Sequence, residues 1–198
     1  MIRVDIISKF FGASPVLGPM SFVIEPGETL ALVGPSGIGK STLLRILAGI
    51  DTDFEGKVER PEELAFVFQE PTLLPWRSVL KNLLIPHPHL DLERAREILA
   101  RVQLAGKEDL FPGQLSLGQQ RRLSLARAFA SVPKLLVMDE PFVSLDRATS
   151  ETMLQLTESL IRDHRPATLI VTHDLSEADR LATRVLALHA TPLGAVII

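Results

Sequence analysis

Gly34, Gly39, Lys40 and Ser41 stand at the spacing G-x-x-x-x-G-K-[ST], inside the run Gly34-Pro35-Ser36-Gly37-Ile38-Gly39-Lys40-Ser41-Thr42. Each residue type answers a need of phosphate binding. The glycines let the backbone turn tightly and aim successive N–H groups at phosphate oxygens. Lys40 reaches for β- and γ-phosphates, and the Ser41 hydroxyl takes one position on Mg²⁺. The plainer alternative is a glycine-rich turn with a solvated lysine, and the flanking sequence argues against it. Residues 28–33 are apolar and short enough for a buried strand, while 43–49 are apolar at helical spacing and close on a glycine. A helix starting at the loop adds its own unpaired N–H groups and partial positive charge. The chain is expected to bind a nucleoside triphosphate.

Asp139 and Glu140 close the apolar stretch 134–138. Mg²⁺ takes oxygen ligands, usually one or two carboxylates beside the phosphates. Asp139 fits the metal-side carboxylate, and Glu140 the group that orients or deprotonates the water attacking the γ-phosphate. A solvated strand end is the bland reading, and the phosphate loop upstream decides against it. Gln69 and His173 end two more apolar runs, 64–68 and 168–172, where ligands of open α/β sheets lie. Taken singly, Gln69 is a loop residue and His173 is as readily structural as catalytic. Phe10 and Phe11, between the first two expected strands, either stack on a base or join the core.

The elements that must position these groups follow from pattern. Residues 2–6 alternate as a half-buried strand, 21–24 form another, and 55–59 look like a hairpin edge. From Pro71 to about residue 130 prolines and helical periods take over, with Asp91 capping a helix and a further helix over 120–130. The core then resumes with a helix over 147–163, a short helix capped by Asp174, and strands at 184–188 and 195–198. Alternating strands and helices imply a mostly parallel, helix-covered α/β sheet. The expected organisation is one domain over 1–198: a nucleotide-binding core at 1–70 and 131–198, and an inserted α-helical subdomain at 71–130. His87 and His89 lie among prolines without a third ligand nearby and read as a solvated loop.

Composition narrows the class. The chain is 46% apolar, but no apolar run approaches the ~20 residues of a membrane span. No N-terminal segment reads as a signal peptide. With no cysteine, disulfides and thiolate metal sites are excluded, which suits a reducing cytosol. A formal net charge of −3 argues against broad binding to nucleic acid.

The ordered set of residues 34–42, Gln69, Leu115-Ser116-Leu117-Gly118-Gln119, 136–140, Ser144-Leu145-Asp146 and His173 resembles that of ATP-binding-cassette ATPases over nearly the whole chain. The resemblance implies a P-loop NTPase (RecA-like) sheet with an N-terminal antiparallel β region. It also implies ATP and Mg²⁺ as cofactors. By it, Gln69 is the Q-loop glutamine, a ligand on the Mg²⁺ side that links metal and water to the transport partner. Asp139 and Glu140 match the Walker B aspartate and catalytic glutamate, Asp146 the D-loop, His173 the switch histidine, and Phe11 the base-stacking aromatic. Two such ATPases face head to tail in the family, so Ser116, Gly118 and Gln119 would cap the nucleotide of a partner copy. Leu117 replaces the family's usual glycine; it either crowds that nucleotide or points away, and hydrolysis is expected to be retained but slower.

Phe111-Pro112-Gly113-Gln114 and the run 69–79 are similar to importers of nitrate, taurine, sulfonate and related ions. Trp76 is either a core anchor or a wall of the groove that receives the permease. The resemblance implies an energy-coupling subunit at the cytoplasmic face of the inner membrane. It would be attached through transmembrane permease subunits, served indirectly by an extracytoplasmic solute-binding protein, with no nucleic-acid partner. Chain length past the last strand implies no C-terminal regulatory domain. The competing readings are a DNA-repair or chromosome clamp, which would need coiled coils or extra modules, and a weakly hydrolysing nucleotide-responsive subunit.

Overall fold

Ile2, Val4 and Ile6 alternate with Arg3, Asp5 and Ile7, and the first strand, β1 (Ile2–Phe11), buries the former set and leaves Ile7 exposed. The computed structural model describes residues 1–197; Ile198, expected in the last strand, lies outside them. β1 pairs antiparallel with β2 (Ser14–Leu17), β3 (Met20–Ile24) and β5 (Glu55–Glu59). Phe10 and Phe11 therefore sit inside a strand, not between two. The stretch 55–59 pairs back onto β1 and forms no hairpin with the strand that follows it. β2 has no counterpart among the expected strands, since it buries only Leu17 and contains a proline.

The parallel part is built from runs apolar on both faces. β4 (Thr29–Val33), β7 (Leu135–Asp139) and β8 (Ala167–Val171) are almost wholly buried, as strands covered on both faces are. β8 runs parallel to both β4 and β7, and β4 is parallel to β9 (Arg184–Thr191). β10 (Gly194–Ile197) folds back antiparallel on β9. With β6 (Leu64–Val67) outermost, the order is β3-β1-β2-β10-β9-β4-β8-β7-β6. Helix α1 (Lys40–Ala48) packs against β7, and α6 (Leu175–Leu181) against β4. Among the described residues no helix is long and apolar enough to cross a membrane.

Contacts divide the chain into two units. The first holds Met1–Phe66, Lys134–Glu140 and the stretch from Arg165 onward; the second holds Val67–Pro133 and Pro141–His164. The first unit's core joins Ile2, Leu30, Leu43, Leu47, Val137 and Leu169. The second is helical, with α2 (Val79–Leu84), α3 (Leu92–Arg101), α4 (Leu117–Ala130) and α5 (Arg147–His164). Its core collects Val79, Leu83, Leu99, Leu104, Leu123 and Ala126. α4 begins three residues earlier than the expected start at residue 120, because Ser116 supplies the cap.

Polar side chains pin the proline-broken loop of the second unit. Buried Asn82 accepts from the Leu74 N–H at 2.7 Å and donates to the Leu74, Arg77 and Ser78 carbonyls. Trp76 rides on that loop 67% exposed, which removes the core-anchor reading. His87 corrects the solvated-loop expectation: it is half-buried, with Nε2 2.8 Å from the Arg127 carbonyl. Burial lowers its pKa, with the Arg127 carbonyl working in the opposite sense.

Candidate functional site

The phosphate loop joins β4 to α1, and backbone geometry explains its residue choice. Gly39 caps α1 at φ 116°, a left-handed angle that suits glycine. A Cβ there would also sit 2.8 Å from Leu17 Cδ2 and 3.2 Å from the Val16 carbonyl oxygen. Pro35, Ser36 and Gly37 form the exposed crest, Ile38 packs back on the core, and Ser41 and Thr42 fall in the first helical turn. Lys40 is only 5% exposed, and Nζ donates to the carbonyls of Gly34 at 2.7 Å and Pro35 at 3.0 Å. An ammonium so held lies at the helix N-terminus, where anions are favoured.

Strand ends bring the acidic groups to the same place. Ser41 Oγ donates to Asp139 Oδ2 at 3.2 Å. Lys40 Nζ lies 3.8 Å from Glu140 Oε1, and His173 Nδ1 lies 3.3 Å from Glu140 Oε2. Glu140 adopts φ 43°, a left-handed angle rare outside glycine, and its N–H donates to the Val171 carbonyl at 2.9 Å. Strain of this kind gathers at functional positions. Burial raises the Asp139 pKa and the charge of Glu140 adds to the rise, while the Ser41 hydrogen bond opposes it. Five residues expected to act on one triphosphate, Lys40, Ser41, Asp139, Glu140 and His173, are thus neighbours in the first unit.

Sequence reasoning missed what holds His173. Thr172 Oγ1 donates to Glu177 Oε2 at 2.5 Å and accepts from the Asp174 N–H at 3.0 Å. Burial raises the Glu177 pKa against the Thr172 hydrogen bond that lowers it. The threonine and glutamate five apart around a histidine and a helix cap are visible in the sequence. Nothing there gives them a role. Phe11 lies at the end of β1, 53% exposed, with the Lys9 ammonium 4.8 Å from its ring centroid.

The remaining expected residues belong to the second unit. Gln69 is exposed just past β6. Ser116 and Gln119 make a reciprocal cap on α4: Ser116 Oγ accepts from the Gln119 N–H at 3.3 Å, and Gln119 Oε1 accepts from the Ser116 N–H at 3.1 Å. Leu117, in the first turn, is 43% exposed. Asp146 begins α5 by accepting from the Ala148 and Thr149 N–H groups and from Thr149 Oγ1 at 2.6 Å. These bonds lower its pKa, the Thr149 hydroxyl first.

Gly118 links the two helix starts. A Cβ on Gly118 would meet Thr149 Cγ2 at 2.6 Å, and Thr149 cannot swing aside without breaking its bond to Asp146. Gly118→Ala is therefore expected to destabilise the protein by about 1–2 kcal/mol, overpacking outweighing alanine's better helix propensity. Adding Thr149→Ser, which deletes the offending methyl, restores the thermal midpoint. A single variant as stable as the parent would contradict this packing.

Comparison with known proteins adds family membership to this geometry. The ABC transporter family profile matches residues 17–143. The chain is 45% identical over 190 residues to the aliphatic sulfonates import ATP-binding protein SsuB 2 of Rhodococcus jostii, covering 94% of this chain and 78% of that one. It is 47% identical over 186 residues to the SsuB protein of Granulibacter bethesdensis, covering 92% and 77%. Among solved structures, a dimeric post-hydrolysis state of the ATP-binding cassette MJ0796 bound to ADP and Pi superposes with a TM-score of 0.82 at 28% identity, covering 100% of this chain and 96% of that one. The chain belongs to the ABC transporter family and is one of its ATPases.

Proposed function

We propose that this chain is the ATP-hydrolysing, energy-coupling subunit of an importer for a small organic or inorganic ion, with sulfonates the favoured class. The convergence of Lys40, Ser41, Asp139, Glu140 and His173 at the ends of β4, β7 and β8 carries the reading. The phosphate loop, residues 34–42, cradles the triphosphate with its N–H groups and the Lys40 ammonium. Glu140 orients the attacking water and takes its proton, and His173 steadies that arrangement through its contact with Glu140. Phe11 offers a ring face to the base.

The residues present also fit Mg²⁺. Ser41 and Asp139 put two hard oxygen donors together, and burial beside a second carboxylate leaves Asp139 in need of a cation. Ser41 and Asp139 would hold the ion. When bound, it neutralises charge developing on the phosphates.

The working unit is two copies, head to tail, each closing over the other's nucleotide. Ser116 suits that role, because its oxygen already accepts from Gln119 and the hydroxyl proton is left to donate to a phosphate. The α4 N-terminus and the Gly118 backbone add N–H groups, Gln119 holds Ser116 in place, and Asp146 fixes the adjoining turn. Closure and reopening drive transmembrane permease subunits, fed by a solute-binding protein. The exposed Trp76 loop is the surface offered to them. This reading puts the subunit at the cytoplasmic face of the membrane, held peripherally, as a single ATPase domain whose helical segment carries the signature motif.

Mg-ATP hydrolysis followed against protein concentration, with and without duplex DNA, tests the reading. The rate per subunit is expected to climb with concentration and to ignore DNA. A concentration-independent rate would remove the composite site, and stimulation by DNA would transfer the chain to the clamp class.

A further inference from the structure

Lys9 is 2% exposed, and lysine is almost never so buried without partners. Its ammonium donates to Asp51 Oδ1 at 2.9 Å, to the Asp53 carbonyl at 2.5 Å and, at 3.3 Å, to Asp53 Oδ2. The same Nζ stands 4.8 Å from the centroid of the Phe11 ring. The Lys9–Asp51 pair is largely enclosed, whereas the Asp53 carboxylate lies in water. An enclosed ion pair is weak evidence for stability, since an apolar residue often does as well. Its effect is on geometry.

That geometry joins two parts of the nucleotide site. Asp51 is tied to the end of α1, its N–H donating to the Arg45 carbonyl at 3.1 Å, beside the Gly49 cap. The start of the same helix carries Lys40 and Ser41. On the other side, β1 shifts register against β2 between Lys9 and Phe10, and Phe11 then pairs with Ser14 at the strand's end. Lys9 thus connects the phosphate-binding helix to the exposed ring. A cation at one ring face is attracted by the ring's quadrupole and resists its rotation. With 53% of Phe11 exposed, ring surface remains for a purine.

We propose that Lys9 is a positioning residue for the nucleobase: clamped by Asp51 and Asp53, it holds the Phe11 ring at a fixed place relative to the phosphate loop. The proposal rests on the reading of Phe11 as the base platform. Lys9 touches no part of the nucleotide and acts only through that ring. Burial works against the Lys9 charge, but the hydrogen bonds and charges of Asp51 and Asp53 prevail and raise its pKa. The clamp therefore stays charged across the physiological range.

Equilibrium binding of ATP and of inorganic tripolyphosphate, which has no base, separates the base platform from the phosphate loop. Lys9→Met is expected to weaken ATP about tenfold while tripolyphosphate affinity changes less than about twofold. In a Phe11→Ala background the same substitution should cost nothing further. Asp51→Asn, which keeps the side-chain shape, is expected to reproduce the selective loss and serves if Lys9→Met does not fold. Equal losses for ATP and tripolyphosphate would overturn the proposal by assigning Lys9 to the phosphate loop. Unchanged ATP affinity in both clamp variants, with Phe11→Ala still impaired, would overturn the clamp and keep the platform. If Phe11→Ala itself binds ATP normally, the platform reading falls and the proposal with it.

Discussion

Lys40→Ala is expected to abolish ATP turnover, with a loss of at least about a hundredfold, because in the proposed site the substitution removes a preorganised cation from beside the transferred phosphoryl group. The side chain is almost wholly enclosed, and its ammonium already lies against the Gly34 and Pro35 carbonyls and 3.8 Å from Glu140. No reorganisation is needed to bring positive charge to that spot. Removing it also takes the lysine charge away from Glu140, so the carboxylate would repel the incoming triphosphate and binding should weaken with turnover. A folding defect is separable from this. Losing two hydrogen bonds from a charged donor is expected to lower stability by a few kcal/mol at most, about 3 per bond being the upper end. The variant should therefore melt cooperatively a few degrees lower, yet show no hydrolysis at any ATP concentration. Normal turnover in a folded Lys40→Ala protein would remove the phosphate loop from the site.

Legibility in the sequence tracks how local each feature is. The phosphate loop is readable because its chemistry is contiguous: Gly39, Lys40 and Ser41 are neighbours in the chain and in space. Asp139, Glu140 and His173 are readable as polar residues ending apolar runs, since a strand covered on both faces is apolar until it ends. Asp174 and Asp91 are readable as caps for the same reason, each bonding an N–H within three residues. Even the start of α4 is implicit in Ser116 and Gln119, a capping pair at the usual spacing.

What escapes depends on distant partners. β2 has a single buried residue, and its place in the sheet is set by β1 and by β10, far along the chain. Lys9 looks like a solvent-facing strand residue until Asp51, 42 positions away, closes over it. His87 looks like a loop residue because Arg127, whose carbonyl it meets, lies 40 positions on. Gly118 carries two demands at once, close approach at a helix N-terminus and room for Thr149, and only the second needs the fold to be seen. The partners of these residues lie far along the chain, and the residue types alone do not announce them.

Glu140→Gln is expected to stop hydrolysis while leaving ATP bound, the converse of Lys40→Ala. The amide keeps the shape of the carboxylate: its oxygen can stay 3.8 Å from Lys40 and its NH₂ can donate to His173 Nδ1, where Glu140 Oε2 now lies at 3.3 Å. What it cannot do is take a proton, and loss of a general base removes about 10²–10⁴-fold in rate. If hydrolysis reopens the head-to-tail pair, the variant should accumulate as a dimer under saturating Mg-ATP, measured by light scattering. A monomer under those conditions would contradict the closure mechanism. The same substitution has a second effect on Asp139. Burial is the main cause of that carboxyl's raised pKa, and the Glu140 charge adds to it. Deleting the charge lowers the Asp139 pKa, so the carboxylate survives to more acid pH. If Asp139 holds the nucleotide's metal as proposed, binding of Mg-ATP should therefore persist further into acid in Glu140→Gln than in the parent. ATP affinity titrated against pH in both proteins reads this shift directly, and superimposable acid limbs would mean that Asp139 and the nucleotide's metal are not linked.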